Sequence, residues 1–295
     1  MQKANHIEIA VATHMVLSVS TKTPSALKKI NRRNKMSALT GLKTLVTGAG
    51  GGIGAACARA LAEAGADVAV ADINGTAANN VAAECAKFGG AATAIEADCG
   101  DLKAIDSMIT QVVTDMGRLD VIVNNAGVTR HAHIMDLDES DWDRMFRVNA
   151  KGVFFCMQRA AKTMISQGGG RIINIASVAG RGYYGTSNCA YAGTKGAVLA
   201  MTYVAAHQLG PSNINVNAIC PGVTYTAIVE GLLSARSAEK GITVEELKEE
   251  VGKSIPIRRG NDPEDIAAMA VFLAGPGARN ITGQGFNVDG GLINS

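Results

Sequence analysis

With 295 residues, 47% of them hydrophobic, the chain can bury one full-sized core, and 34 glycines against six prolines indicate many tight turns, not disorder. No apolar run reaches the roughly 18 residues that a membrane-spanning helix needs, which argues against a helical membrane protein. The formal net charge of +2 is unevenly held: residues 1–36 carry seven basic side chains and one acid, leaving −4 for the rest and no basic surface to recruit nucleic acid.

In chain order, the first feature is an apolar run from Ile7 to Val19, followed by a basic, polar segment ending at Met36. It has no preceding basic run and no small-residue cleavage site, so a secretory signal fits poorly. A transit peptide, an ordered arm and an in-frame extension with Met36 as the working start remain alternatives. We read residues 1–40 as an N-terminal extension, disordered or a non-native start, and 41–295 as the folded domain.

From Leu42 onward, short apolar runs predict strands at Lys43–Thr47, Asp67–Ala71, Thr93–Glu96, Val121–Val123, Arg171–Ile175, Asn215–Ile219 and Phe286–Val288. Helices are predicted between them over 53–65, 76–88, 101–116, 139–167, 189–209 and 262–274. Alternation of this kind implies an α/β fold: a doubly wound, Rossmann-like parallel sheet of about seven strands in a single domain. Residues 226–260 interrupt the rhythm with two charged helical stretches, Val229–Ser237 and Val244–Lys253, joined through Gly241. They read as a helical lid over a substrate, or else as a decorative hairpin.

Thr47-Gly48-Ala49-Gly50-Gly51-Gly52-Ile53-Gly54 links the first strand to the first helix, where glycines let the backbone approach a pyrophosphate bound by the helix N-terminus. Asp72 ends the second strand, where a carboxylate can accept bonds from adenosine ribose hydroxyls and would repel a 2′-phosphate. With no arginine at 73 or 74, NAD is preferred over NADP; the alternative is that Asp72 caps the following helix. Tyr191 and Lys195 stand one helical turn apart, so the ammonium is expected to pull the phenol below its ordinary pKa. The six cysteines have no paired spacing. His131 and His133 have no third partner, so no metal is predicted.

Taken together, these residues resemble the short-chain dehydrogenase/reductase family over residues 41–295. Thr47-Gly48-x-x-x-Gly52-x-Gly54 is similar to its cofactor motif, Asn124-Asn125-Ala126-Gly127 to its post-strand-four motif, and Pro221-Gly222-Val223-Thr224-Tyr225-Thr226 to the segment around the nicotinamide. The resemblance implies Asn149, Ser177, Tyr191 and Lys195 as the catalytic set. Tyr191 would be the acid or base and Ser177 a donor to the substrate oxygen. Lys195 would tune the phenol and hold the nicotinamide ribose, and Asn149 would hold a water that links Lys195 to solvent.

It also implies cofactor contacts. Asp98 would meet the adenine amino group, with Cys99 beside it, and Asn125 and Ala126 would line the adenosine side. Thr224 and Thr226 would meet the carboxamide, and Ile53, Ile73 and Gly127 complete the set; Asp98 could instead cap the helix near Asp101. The substrate wall is expected from Thr129, Arg130, His131, His133, Val178 to Tyr184 and the lid. The lid resembles that of the polyol, acetoin or butanediol branch. The expected protein is therefore a cytoplasmic, NAD-dependent dehydrogenase of a secondary alcohol or polyol, a homotetramer without nucleic acid or membrane partners. Alternatives are a carbonyl reductase for 3-oxoacyl or cyclic ketone substrates and a catalytically silent NAD-binding sensor or scaffold.

Overall fold

Period-two alternation builds the sheet: in β1 (Lys43–Thr47) Leu45 faces one helical layer and Val46 the other. The computed structural model describes residues 38–294, so the readings made on residues 1–37 lie outside it. β2 (Asp67–Asp72), β3 (Ala92–Glu96), β4 (Val121–Asn124), β5 (Gly170–Ile175), β6 (Ile214–Pro221) and β7 (Gly285–Val288) complete a parallel sheet in the order β3-β2-β1-β4-β5-β6-β7. Val46, Val68, Val70 and Val123 pack under α1 (Gly52–Glu63), α2 (Gly75–Ala86) and the late helix Pro263–Ala274. Leu45, Ile95, Ile122 and Val216 pack on the opposite face, under α3 (Leu102–Met116) and further helices at Val153–Gln167 and Cys189–Leu209. The expected doubly wound sheet is thus the observed one. Its order reverses between β1 and β4, which opens a crevice at the strands' C-terminal ends.

Predicted element ends lie within a few residues of those observed. The first helix stops at Glu63, not 65, because Gly65 adopts φ +96 and turns the chain back, so that Ala66 N–H donates to Leu61 O. Leu39, just ahead of the boundary expected at residue 41, is 1% exposed within the core and its N–H donates to Ala64 O. The helix expected over 139–167 has three parts: α4 (Glu139–Phe146), a π-helical turn (Arg147–Gly152) and α5 (Val153–Gln167). The wider turn carries Asn149, whose fully buried side chain clasps the Val128 peptide.

α6 (Cys189–Leu209) follows, and the stretch expected as a lid comprises α7 (Ala227–Lys240) and α8 (Val244–Ser254), before α9 (Pro263–Ala274). The lid rises from a short parallel stem: Tyr225 N–H donates to Asn261 O (2.9 Å) and Asn261 N–H to Val223 O (2.7 Å). Thr243 and Glu246 form a capping box that starts α8. Among the described residues no helix is long and apolar enough to cross a membrane.

Candidate active site

The turn after β1 is shaped by two glycines. Gly48 has φ +60 and sits against the Ala126 backbone, and at Gly54 a Cβ would overlap the Gly48 carbonyl and stand 2.5 Å from Asn125 Nδ2. Gly54 therefore packs the turn and does not line the cleft. Gly51 caps α1 without a side-chain hydrogen bond, and no acidic residue follows in the first turn. The first-turn N–H groups are left for an outside acceptor, as a pyrophosphate site requires. Asn125 ties the second motif to the first: its Nδ2 donates to Thr47 O and Gly48 O, while Thr47 Oγ1 accepts from Asn125 N and Ala126 N.

Asp72 stands over this turn. One carboxylate oxygen accepts from Gly50 N (2.8 Å) and the other from Asn74 N (2.9 Å). The helix cap is Asn74, which accepts from Ala77 N, so the capping alternative for Asp72 falls away. Asp101, likewise, caps α3, and Asp98 does not. Asp98 accepts from Gly100 N (2.7 Å) and pairs with Arg147 (2.9 Å). Burial raises its pKa, but these two donors outweigh it and hold the carboxyl below its ordinary value. Arg147, 49 residues away in sequence, carried no local signal that could have found it.

A cleft of about 960 Å³ runs from this end to the lid. Gly48, Gly52, Ile53, Asp72, Ile73, Asp98, Cys99, Asn125, Ala126, Gly127, Ser177, Tyr191, Lys195, Pro221, Gly222, Thr224 and Thr226 all line it. Thr226 caps α7 and its methyl group closely overlies Gly52, bringing the lid's root to the glycine turn. Thr224 is buried, with its hydroxyl donating to Gly222 O (3.2 Å). Gly54, expected as a cofactor contact, and Asn149, expected in the catalytic set, lie behind the wall. Residues able to hold a dinucleotide thus form one continuous surface: unspent N–H groups beside Gly51, the Asp72 carboxylate, and the wall of Asp98, Ala126 and Gly222.

At the other end, Ser177 follows β5, its Oγ accepts from Ala179 N (3.1 Å), and the same side chain pulls the Tyr191 phenol toward its charged form. Asn188 sets the phenol's position: it caps α6 by accepting from Tyr191 N (2.6 Å) and donates to Arg130 O (2.7 Å). Sequence reasoning missed it, although an asparagine just ahead of an apolar helix is an N-cap signal. Lys195 is 3% exposed; its Nζ donates to Ile175 O (2.7 Å) and lies 5.7 Å from the Tyr191 ring centroid.

The expected downward pull on Tyr191 is not found. Burial raises the phenol above its ordinary value, and Ser177 only partly offsets this. Lys195 is itself starved of solvent, and burial lowers its ammonium to about 8. Spacing on a helix places the two groups together but does not set the polarity around them. Asn149 completes the arrangement from behind: its Oδ1 accepts from Val128 N, and its Nδ2 donates to Val128 O and to Thr194 Oγ1.

Two expected wall residues are elsewhere. Arg130 pairs with Asp141 and donates to Asp136 O, and Arg181 donates to Gly285 O beneath the sheet. His131, Tyr183 and Tyr184 do line the cleft, opposite Val229, Leu233, Arg236 and Leu247 of the lid. His133 faces a second hollow with His131 and Cys189.

A family model described as Enoyl-(Acyl carrier protein) reductase matches residues 48–293. The chain is 41% identical to a sorbitol dehydrogenase of Cereibacter sphaeroides over 254 residues, covering 86% of this chain and 98% of that one. It is 39% identical to a 3-oxoacyl-[acyl-carrier-protein] reductase of Synechocystis over 261 residues, covering 88% and 99%. A crystal structure of NAD+-bound xylitol dehydrogenase superposes with a TM-score of 0.80 at 34% identity, covering 86% of this chain and 99% of that one.

Proposed function

The chain belongs to the short-chain dehydrogenase/reductase family, an enzyme acting on CH–OH groups, and on that footing we propose that it oxidises a small polyol or similar secondary alcohol with NAD. A nicotinamide cofactor bound in the cleft supplies the hydride acceptor, or the donor in reduction. The observation that carries the reading is the meeting of Ser177, Tyr191 and Lys195 on the wall that also holds the glycine turn and Asp72.

Tyr191 Oη takes the proton of the substrate hydroxyl, and Ser177 Oγ, already beside that phenol, donates to the substrate oxygen as charge develops. Lys195 presents a buried cation 5.7 Å from the Tyr191 ring centroid, which favours the phenolate when the proton leaves. Asn149 fixes the Val128 loop that lies against Lys195's end of the cleft. The lid excludes water over the reacting carbon.

The Asp72 carboxylate supports NAD. Each oxygen holds one backbone N–H and keeps lone pairs for ribose hydroxyls, and no cation stands at 73 or 74 to accept a 2′-phosphate. The polyol assignment is supported by the relatives named sorbitol and xylitol dehydrogenase and by the hydroxyl-bearing wall of Tyr183, Thr186 and Ser187. Rates measured with NAD and NADP against polyols, acetoin, cyclic ketones and 3-oxoacyl thioesters test both parts. Preference for NADP with an oxoacyl thioester would replace this reading with the carbonyl-reductase one. Tight NADH binding without turnover of any of them would favour the sensor.

The exposed apolar side chains of Trp142, Phe154, Tyr203 and Val204 on α4 to α6 support a homotetramer; light scattering that gives a monomer mass would refute the assembly. Residues 1–36 contribute nothing to this site in the proposal, which is checked by comparing kcat/KM of the chain begun at Met36 with that of the full chain.

A further inference from the structure

Cys99 and Cys156 form a thiol pair that the hydride chemistry does not use. Cys99 follows β3 in the loop that carries Asp98, and Cys156 lies in the first turn of α5. Gly152 brings them together: a Cβ there would overlap the Cys99 carbonyl oxygen, so the helix start rests directly on the loop backbone. Cys156, four residues on, projects from the same face. Both residues belong to one packed cluster, in which the Cys156 thiol and the Thr47 hydroxyl both act on the Cys99 thiol. Cys156 is 1% exposed, whereas Cys99 is 7% exposed and faces the cleft.

We propose that this pair is a peroxide-sensitive site whose oxidation to a Cys99–Cys156 disulfide disables the adenosine end of the cofactor cleft. Cys99 Sγ attacks one peroxide oxygen, the O–O bond breaks, and a sulfenic acid and one water result. Cys156 Sγ then displaces that hydroxyl as a second water and the S–S bond forms. The two thiols lose two hydrogens and two electrons, all accepted by the peroxide.

The environments suit these separate roles. Cys156 and Thr47 bring the Cys99 thiol below its ordinary value against the opposing effect of burial. Cys156 is raised well above its own, first by Cys99 and then by burial. The consequence for the cofactor follows from Thr47, whose hydroxyl meets Cys99 and also accepts from Asn125 N (3.0 Å) and Ala126 N (3.2 Å). Drawing Cys99 toward α5 disturbs that junction and shifts the neighbouring Asp98. A bound dinucleotide would cover Cys99 and protect it.

The disulfide stands apart from the cofactor reading, on which only its consequence rests. Cofactor-free protein is treated with hydrogen peroxide, trapped with iodoacetamide and mapped by peptide mass, with NADH affinity read in parallel. The expected result is a Cys99–Cys156 cross-link two hydrogens lighter, about tenfold or more weaker NADH binding, and recovery with dithiothreitol. NADH present during oxidation should slow the cross-link. Cys156→Ala, with Cys156→Ser as a second variant should the first fold poorly, keeps NADH binding and accumulates a dimedone-reactive sulfenic acid at Cys99. Oxidation confined to the exposed Cys189, or equal loss of binding in the Cys156 variants, overturns the proposal, as does a mapped disulfide that leaves NADH affinity unchanged. Failure of the untreated protein to bind NADH would instead refute the cofactor reading.

Discussion

Replacing Lys195 with methionine should remove turnover and, at neutral pH, cost little stability or even add some. Lys195 is 3% exposed and burial lowers its pKa from 10.5 to about 8. The folded chain sheds this proton near pH 8 while the unfolded chain keeps it to 10.5, so the unfolded state binds more protons between those values. Stability therefore rises with pH across that window, and the penalty for holding the charge is fully present below pH 8. A difference of about 2.5 units corresponds to about 3 kcal/mol at pH 7. Methionine fills the space of the stem without the charge but leaves Ile175 O without the Nζ donor, a pH-independent loss of about 1–3 kcal/mol. Urea unfolding of cofactor-free wild type and Lys195→Met from pH 7 to 10 isolates the titrating part, because the other groups are common to both proteins. The wild type should gain about 2–3 kcal/mol on the variant over that range. Parallel profiles would refute the argument that Lys195 is held as a strained, buried cation.

Tyr191→Phe deletes one oxygen and leaves the ring; kcat should fall about 10²- to 10⁴-fold while NADH affinity holds, and undiminished turnover would remove Tyr191 from the chemistry. Asp72→Ala strips the acceptor from Gly50 N and Asn74 N and the charge from the ribose site. The NADP-to-NAD ratio of kcat/KM should rise about tenfold or more, and an unchanged ratio would sink the repulsion argument. In Gly54→Ala the methyl would overlap Gly48 O and crowd Asn125, which should cost about 1–3 kcal/mol in thermal unfolding and weaken NADH binding together. A variant with wild-type Tm and affinity would contradict the packing described for the turn.

The elements were legible because parallel strands buried on both faces are written as short apolar runs and their helices as longer periodic ones. Leu39 escaped that reading because a single leucine ahead of the first strand has no period. The break in the long helix escaped as well, since its residues suit a regular helix and only the bond between Asn149 and Val128 exposes the wider turn. The residues that line the cleft near the glycine turn were readable from local chemistry. Arg147 was not, since its partner Asp98 lies 49 residues earlier, and Arg130 was misread as a cleft residue because its partner Asp141 sits in the next helix.

Tyr191 and Lys195 separate what spacing can and cannot say. Four residues on a helix place a phenol and an ammonium on one face, and that much holds. The sign of the pKa change depends on what surrounds them: with Nζ spent on Ile175 O and water removed from both groups, desolvation dominates, and each is pushed toward its neutral form. A neutral phenol near a reluctant cation is a ready proton donor at neutral pH and becomes a base only when charge is brought in beside it. Ser177 is the one group in the trio that favours the phenolate without titrating. The site's polarity is thus set by the burial that β5 and α6 impose, and the motif alone carries no record of it.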